Sequence, residues 1–201
     1  MAFDPYPVII TEQMREDAKL RHLHYGKAFK NHEIEGGKGR IWGSLGEILV
    51  GSVIGPLGAT ETLNFDYDLI WNDKTWDIKT KTRKDLPMAD WDAAVNASAM
   101  HQKTNYYIFV SIVSRRNLLQ ADEQEILDFP YELGYIMGYI SKDDFLMEGN
   151  LRIAGSTDPL NGIVYRANTY TIRYDQLKPF RDLLPEDKKG KPRPQVFAKF
   201  R

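Results

Sequence analysis

Two apolar, strand-like runs separated by a turn occupy the stretch 64–84 and constrain the fold more than any other part of the chain. β-branched and aromatic residues dominate both runs, and Asn72-Asp73 between them is typical of a turn. Each run carries one aspartate, Asp68 in the first and Asp77 in the second, and Lys79 follows two residues later. The sequence therefore predicts a β-hairpin with charged side chains on both strands.

The number of residues in the hairpin loop decides which side chains share a face. If the loop is Asn72-Asp73 alone, Asp68 faces Asp77. A four-residue loop instead brings Asp68 opposite Lys79. Because strand side chains alternate, either even loop places all three on one face, whereas a three-residue loop does not. Opposed carboxylates about 5 Å apart repel each other, so a cation between them is expected. Oxygen ligands on a rigid sheet suit Mg²⁺, for which Mn²⁺ is expected to substitute.

The composition indicates one domain, over residues 1–184, followed by a basic, Pro-containing tail at 185–201 that is expected to be flexible. The 201 residues are 42% hydrophobic and 12% aromatic, which is enough for a sizeable core. The net charge of -1 excludes a generally basic protein, but basic patches exist. Residues 74–84 hold five basic side chains against one acidic, and residues 188–201 hold six against none. Four basic residues of the tail are candidates for contacts with a nucleic-acid backbone: Lys188, Lys189, Lys191 and Arg193.

Several classes of site and location are disfavoured by the sequence. The chain has no cysteine, which excludes disulfides and thiolate metal sites. Its four histidines, at positions 22, 24, 32 and 101, lack zinc-ligand spacing. The first ten residues lack the features of a signal peptide, and the longest apolar run, at 106–113, is too short to span a bilayer. We therefore expect a cytoplasmic protein without a membrane partner.

The other predicted elements follow from hydrophobic pattern, capping residues and turn signals. Glu47 is the only acidic residue in one of the apolar helices, Trp42–Ile54. The predicted elements are a helix from Thr11 to about Phe29, a Gly-rich loop at 31–40, the helix Trp42–Ile54, a short strand at 60–63, a helix from Asp90 or Asp92 to about Met100, strands at 106–113, 133–140 and 168–174, a loop at 114–131, and helices at 141–147 and 175–184.

Three short motifs occur in order along residues 40–113. They are Gly-Ser-Leu-Gly-Glu at 43–47, Tyr-Asp-Leu-Ile at 67–70 and Asp-Ile-Lys-Thr-Lys at 77–81. This order resembles the PD-(D/E)XK nuclease superfamily, which has the restriction-endonuclease-like fold, and is similar to small phage-encoded endonuclease-like proteins. One departure is that Tyr67, and not a proline, precedes Asp68.

The resemblance implies an α/β fold in which helices flank a mixed β-sheet, with an αβββαβ core and C-terminal α+β additions. It implies a Mg²⁺-dependent endonuclease that hydrolyses DNA and leaves 5′-phosphate and 3′-hydroxyl ends, in a bacterial or phage-infected cell. Asp68, Asp77 and the Ile78 carbonyl would bind the metal ion. Lys79 would stabilise the transition state or position the attacking water, and Glu47 would complete the metal site.

Four further residues are candidates for accessory roles. Gln102 and Tyr106 have the QxxxY spacing seen in some superfamily members, so Gln102 is an accessory catalytic candidate. Lys81, Arg83 and Lys84 continue out of the hairpin and are candidates for binding phosphates. Such enzymes often act as dimers, and a homodimer is possible here.

Other interpretations are open from the sequence alone. Asp68 and Lys79 form a surface ion pair in one of them, and Glu47 is neutralised by Arg40 or Lys79 in another. For the whole chain, the alternatives are a nucleic-acid-binding protein that keeps the nuclease fold without turnover, and a structural or assembly protein in which the hairpin is only scaffold.

Overall fold

The computed structural model describes residues 3–25, 38–62, 64–118, 120–158, 162 and 164–189. The fold is mixed α/β, with a mixed sheet flanked by helices, as predicted. The strands are β1 Tyr6–Ile9, β2 Thr60–Glu61, β3 Leu69–Trp71, β4 Lys74–Arg83, β5 Asp92–Asn96, β6 Tyr106–Val113, β7 Leu133–Ser141, β8 Asn150–Arg152 and β9 Thr169–Arg173. The α-helices are α1 Glu12–Tyr25, α2 Lys38–Ile54, α3 Glu123–Leu127, α4 Lys142–Glu148 and α5 Glu186–Lys189.

The strands form two sheets. The larger has the order β1-β7-β6-β4-β3-β2, in which β4 and β6 are parallel and the other pairs are antiparallel. The smaller is antiparallel, with the order β5-β9-β8. β4 and β6 are central in the larger sheet, so both of their faces are covered by other elements.

Two apolar clusters fill the space on either side of the larger sheet. On one face, Leu45 and Leu49 of α2 belong to the same cluster as Ile78 of β4. On the other face, Tyr107 of β6 packs with Phe145 of α4 and with residues of β5 and β9. Ile78 and its two neighbours on β4 therefore point to opposite sides of the sheet, and Asp77 and Lys79 lie on the face that carries the smaller sheet.

The helix predicted from Asp90 or Asp92 to Met100 is wrong. The chain there forms β5, followed by the 3-10 helix Ala97–His101. Ala93 and Val95 are buried at 1% and 2% exposure and pair with β9, which lies far away in the sequence. This long-range pairing overrides the helix propensity of alanine. Consequently, β4 and β6 are not joined by the α-helix that the αβββαβ core requires.

Some smaller predictions also need correction. The segment predicted as a helix at 175–184 forms two 3-10 helices, Tyr174–Gln176 and Phe180–Leu183. Pro179 lies between them, where it removes a backbone donor and restricts Lys178. α2 begins at Lys38, not at Trp42, and the loop predicted at 114–131 contains α3. The tail predicted to be flexible begins with α5; its remainder, from 190, lies outside the described residues, as does most of the predicted Gly-rich loop at 31–40.

Other predictions are confirmed. Thr11 accepts a hydrogen bond from the Met14 N–H at the start of α1, and Ser141 caps α4 by accepting from Asp144 N–H. The strands predicted at 106–113, 133–140 and 168–174 are present. Within the described part of the chain, no helix has the length and apolar character needed to cross a membrane.

Candidate active site

The turn between β3 and β4 contains two residues, so the even loop length predicted from the sequence is confirmed. Trp71 pairs with Lys74, and the residues between them, Asn72 and Asp73, have φ values of 50° and 57°. Positive φ at both central residues is the type I′ geometry, whose twist matches that of the flanking strands and which Asn and Asp tolerate. The register of β4 is therefore fixed, and Asp77 and every second residue after it share one face.

Asp68 lies just before β3 and turns toward β4. Its backbone N–H donates to the Trp76 carbonyl at 2.9 Å, and its Oδ2 accepts a hydrogen bond from the Ile78 N–H at 2.5 Å. The ladder has ended at this point, so Asp68 is not a paired strand residue. The surface ion pair between Asp68 and Lys79 is replaced by an ion pair between Lys79 and Asp77.

The pKa of the Asp68 carboxyl is raised well above its ordinary value. Burial is the largest cause, and the neighbouring carboxylates of Asp77 and Glu47 add to it. The Ile78 N–H and the Lys79 ammonium act in the opposite direction but are outweighed. The carboxylates of Asp77 and Glu47 are therefore close enough to disfavour ionisation of Asp68, a situation that a bound cation relieves.

Asp77 is nearly buried, with an exposure of 3%. Lys79 Nζ lies 2.6 Å from Asp77 Oδ2 as an ion pair. No described residue donates a further hydrogen bond to Oδ2, so the Lys79 ammonium is the group that balances its charge. A carboxylate oxygen is also a ligand that Mg²⁺ accepts, so a metal ion would compete with the ammonium for this atom.

Glu47 approaches the site from α2, which contacts β4 closely at Gly46. A Cβ added to Gly46 would lie 1.9 Å from Thr80 Oγ1, so the close approach requires glycine. The ion pair found at Glu47 is with Arg21 of α1, whose Nη1 lies 3.5 Å from Glu47 Oε2. Arg21 Nη2 also lies 2.6 Å from Glu61 Oε2, at the edge of the sheet.

The pKa of Glu47 is raised to about 7. Although 30% of its side chain is exposed, loss of hydration is the largest cause. The Arg21 guanidinium lowers the pKa, whereas the carboxylates of Glu61 and Asp77 raise it further. The carboxyl of Glu47 thus belongs electrostatically to the same group as the aspartates.

Gln102 links the elements that carry the charged residues. Its Nε2 donates to the Phe65 carbonyl at 2.5 Å, and its Oε1 accepts from Lys79 Nζ at 3.5 Å. Lys142 Nζ donates to the Gln102 carbonyl at 2.6 Å, which fixes the backbone at this point. Gln102 is therefore placed to hold Lys79 and the segment before Asp68 in position.

These side chains line one cleft of about 960 Å³. Every residue that the sequence analysis assigned to the site lies on its wall: Glu47, Asp68, Asp77, Ile78, Lys79, Lys81, Arg83, Lys84 and Gln102. A volume of this size is typical of a ligand-binding cleft.

Lys81 and Arg83 line this cleft and are half-buried. Lys81 Nζ and Arg83 Nη2 both donate to the Asp92 carbonyl, at 3.3 Å and 3.1 Å. The Arg83 guanidinium also lies over the Trp91 ring, 4.8 Å from its centroid. Lys84, by contrast, is exposed at the rim.

Several residues of the cleft were missed by the sequence analysis, including Arg21, Glu61, Phe65, Trp91 and Arg116. Arg21 and Arg116 come from segments outside the three motifs, and only the packing of α1 and of the segment after β6 brings them to the site. Phe65 lies three residues before Asp68, so its position could have suggested a role at the same opening.

The donors present fit a magnesium ion. Within the described residues, no group of three or more His, Cys, Asp or Glu side chains is arranged as a metal-binding cluster. Mg²⁺, however, usually binds through one or two carboxylates together with water and substrate phosphates, and does not need an all-protein cage. The buried carboxylate of Asp77, whose charge Lys79 alone balances among the described residues, and the raised pKa of Asp68 are the observations that suit such an ion.

Comparison of the chain with family models, with curated proteins and with solved structures finds no match.

Proposed function

We propose that this protein is a metal-dependent endonuclease that hydrolyses DNA phosphodiester bonds and that its core is related to the restriction-endonuclease-like fold. The convergence of Glu47, Asp68 and Asp77 beside Lys79 in one cleft carries this proposal. A cluster of carboxylates in which the pKa values of Asp68 and Glu47 are raised by burial and by neighbouring carboxylates is typical of functional sites. The absence of an α-helix between β4 and β6 is a departure that the proposed relationship has to accommodate.

The residues of the chain have separate roles in the proposed reaction. Asp68, Asp77 and the Ile78 carbonyl would hold Mg²⁺, with Glu47 completing the site. The bound ion would supply Lewis-acid stabilisation of the phosphate and activation of water. Lys79 balances the charge of Asp77 in the metal-free protein. When a metal ion takes over that task, the Lys79 ammonium is available to stabilise charge on the scissile phosphate or to position water.

The arrangement around Lys79 supports its role in catalysis. Gln102 Oε1 accepts from the same ammonium that pairs with Asp77, so two groups define the position of Nζ. The Lys79 side chain is 25% exposed, which leaves it accessible from the cleft. An ammonium held in a partly desolvated cleft acts on a phosphate more strongly than one in bulk water.

The proposal is tested by incubating the protein with plasmid, linear duplex, single-stranded and branched DNA, with Mg²⁺ and with EDTA. We expect cleavage with Mg²⁺ only, and a loss of at least about a hundredfold in the Asp77→Asn variant. Asp73→Asn is the matched control, because Asp73 lies exposed in the β3–β4 turn, where asparagine is equally favourable. Metal-independent cleavage, full activity of Asp77→Asn, or no cleavage of any DNA form would contradict the proposal.

A second candidate is a nucleic-acid-binding protein without turnover. The ion pair between Lys79 and Asp77 favours it, because that pair neutralises the buried carboxylate without a metal ion. In this case Mg²⁺ would not bind the wild-type protein, and DNA would bind equally well with EDTA. Calorimetric titration with Mg²⁺ therefore separates the two candidates before any substrate is found. A scaffold protein would show neither metal binding nor salt-dependent DNA binding.

A cytoplasmic location in a bacterial or phage-infected cell and a homodimeric state belong to the same proposal. The bacterial or phage setting and the homodimeric state derive from the resemblance of the three motifs, whereas the cytoplasmic location is expected from the absence of cysteine.

A further inference from the structure

The face of β4 that begins at Asp77 continues as a row of cations. Lys79, Lys81 and Arg83 occupy every second position, and all three line the cleft. Alternate residues of a strand are about 6.6 Å apart, so the row leads away from the carboxylates in regular steps. The spacing of the row is fixed, because all three residues lie on one strand that pairs with β6 along this stretch.

Lys81 and Arg83 contact uncharged groups within the described part of the chain. They share the Asp92 carbonyl as an acceptor, and Arg83 also contacts the Trp91 ring. Neither forms an ion pair within 4 Å with a described residue, and Arg83 Nε is buried without a hydrogen-bond partner in the same set. Burial and the neighbouring Arg83 guanidinium lower the pKa of Lys81 to about 8, although the more distant carboxylates of Asp92 and Asp158 raise it. Two cations without a directly bound counter-ion on the wall of a cleft favour an anionic ligand.

The burial of these cations bears on the form of that ligand. Lys81 and Arg83 are half-buried on the wall of the cleft, whereas Lys84 and Arg116, which also line it, are exposed. A duplex carries its phosphates on the outside of a wide cylinder and would reach the rim only. An unpaired strand is narrow enough to enter.

We propose that the cleft binds a single unpaired DNA strand, which runs along β4 with its phosphates on Lys81 and Arg83 and one phosphate at Lys79. This inference rests on the proposed function for the identity of the ligand as DNA. It adds the strandedness of the substrate and a binding subsite separate from the carboxylates.

Two aromatic side chains of the cleft suit unpaired bases. Phe65 is 58% exposed although it lies beside the site, and its backbone carbonyl is held by Gln102. Trp91 lines the cleft near Arg83. Proteins that bind single strands commonly combine a basic groove with aromatic side chains on which bases stack, and only unpaired bases expose their faces for this.

The length of the row predicts the length of strand that is bound. Asp77 and Arg83 are six residues apart on β4, which corresponds to about 20 Å. A stacked strand rises about 3.4 Å per nucleotide, so about six nucleotides would cover the row.

The inference is tested by fluorescence anisotropy with the wild-type protein in EDTA, where no cleavage occurs. Labelled oligothymidylates of 3 to 15 nucleotides are compared with a blunt duplex of 15 base pairs. We expect at least about tenfold tighter binding of the single strand and an affinity that rises up to about six nucleotides and then levels off. In EDTA, Lys79 stays paired with Asp77, which leaves two phosphate contacts, at Lys81 and Arg83. The logarithm of the binding constant should therefore fall with a slope of about -1.4 against the logarithm of salt concentration.

Substitutions of residues that line the cleft test where the single strand binds. Lys81→Met should weaken single-strand binding about fivefold at 0.1 M salt, since one contact contributes about 0.7 to the slope, provided that circular dichroism shows an unchanged fold. Phe65→Ala, an exposed position that does not affect the core, should weaken single-strand binding without changing the slope. Lys74→Ala, on β4 but outside the cleft, is the matched control and should bind as the wild type does.

The results separate the two proposals. Equal or tighter binding of the blunt duplex, or wild-type binding by both Lys81→Met and Phe65→Ala, would overturn the single-strand inference. Preference for the single strand in EDTA supports it even if Mg²⁺ produces no cleavage, a result that would contradict the proposed nuclease activity alone. Cleavage of a blunt duplex and of a tailed duplex at the same rate would contradict the inference and leave the nuclease activity standing.

Discussion

The two ends of one face of β4 differ in the sign of their unbalanced charge. At the end near the hairpin, the carboxylates of Asp68 and Asp77 are joined by Glu47, and burial together with mutual repulsion raises the pKa of Asp68. At the other end, burial together with the Arg83 guanidinium lowers the pKa of Lys81. In both places the folded chain holds charged groups under conditions that disfavour their charge.

The comparison shows that the two ends of this face carry unbalanced charge of opposite sign. Asp77 and Lys81 lie only about 13 Å apart, the length of four strand residues. A bound cation would balance the charge at the first end, and a bound anion would balance it at the second. A DNA strand whose scissile phosphate lies at a metal ion, and whose neighbouring phosphates lie on lysine and arginine, would satisfy both ends together. Either end can be perturbed alone, which allows the comparison to be tested.

The largest expected effect is that Mg²⁺ stabilises the folded protein by binding at the acidic end of the β4 face, which is formed by Asp68, Asp77 and Glu47. At a Mg²⁺ concentration a hundredfold above its Kd, the free energy of unfolding should rise by about 2.7 kcal/mol, which raises the Tm by about 5 to 10 °C. Asp68→Asn should lose most of this rise. In EDTA the same variant should be at least as stable as the wild type, because asparagine keeps an acceptor for the Ile78 N–H without a buried charge. Thermal denaturation with and without Mg²⁺ measures both.

Asp73→Asn is again the control and should keep the full response to Mg²⁺. If Asp68→Asn responds to Mg²⁺ as the wild type does, the acidic end is not the metal site. If the variant is clearly less stable in EDTA, burying the Asp68 carboxyl does not lower the free energy of unfolding as its raised pKa indicates.

The next prediction tests whether the position of α2 affects metal binding at the acidic end without affecting DNA binding at Lys81. Gly46→Ala should lower the free energy of unfolding by about 1 to 3 kcal/mol, because its Cβ would meet Thr80 Oγ1 at 1.9 Å. Displacing α2 moves Glu47, so the stabilisation by Mg²⁺ should fall, whereas single-strand binding at Lys81 should change little. Urea denaturation and anisotropy provide the two measurements.

Gly43→Ala is the matched control in the same helix, since no atom lies within 4 Å of the added Cβ. It should be neutral or stabilise the protein by up to about 1 kcal/mol through helix propensity. Equal effects of the two alanine substitutions would show that the contact of Gly46 with Thr80 is unimportant.

The smallest effect concerns the basic end and its dependence on pH. The pKa of Lys81 is about 8 in the folded protein, where Arg83 lowers it and Asp92 and Asp158 raise it, against an ordinary value of 10.5. Below pH 8 the lysine is charged in both states, and the cost of burying its charge is fully present. Between pH 8 and 10.5 the unfolded chain binds the proton more strongly, so the free energy of unfolding rises with pH by at most about 1.4 kcal/mol per pH unit.

Urea denaturation at pH 7.5, 8.5 and 9.5 checks this expectation. The stability of the wild type relative to Lys81→Met should increase with pH, since the contributions of all other groups cancel in the difference. The difference between the wild type and Lys74→Met, an exposed position on the same strand, should stay constant. A constant difference for Lys81→Met as well would show that Lys81 is not desolvated.

The elements that local chemistry controls were predictable. The helix cap at Ser141 and the apolar strand 106–113 follow from side chains that act within a few residues of themselves. The strand β5 was not predictable from its own sequence, because Ala93 and Val95 are extended only through pairing with β9. Composition there favours a helix, and a contact made by a segment about eighty residues later reverses that preference.

For the candidate site, the sequence by itself determined the hairpin. Asn72 and Asp73 tolerate positive φ, which fixes a two-residue turn and hence the alternation that carries Asp77, Lys79, Lys81 and Arg83 on one face. Only the tertiary structure decided the surroundings of that face. It brings Arg21 to Glu47 and the Asp92 carbonyl to Lys81. The physical reason is that backbone conformation in a tight turn depends on the turn residues themselves, whereas burial and charge balance depend on which distant segments pack together.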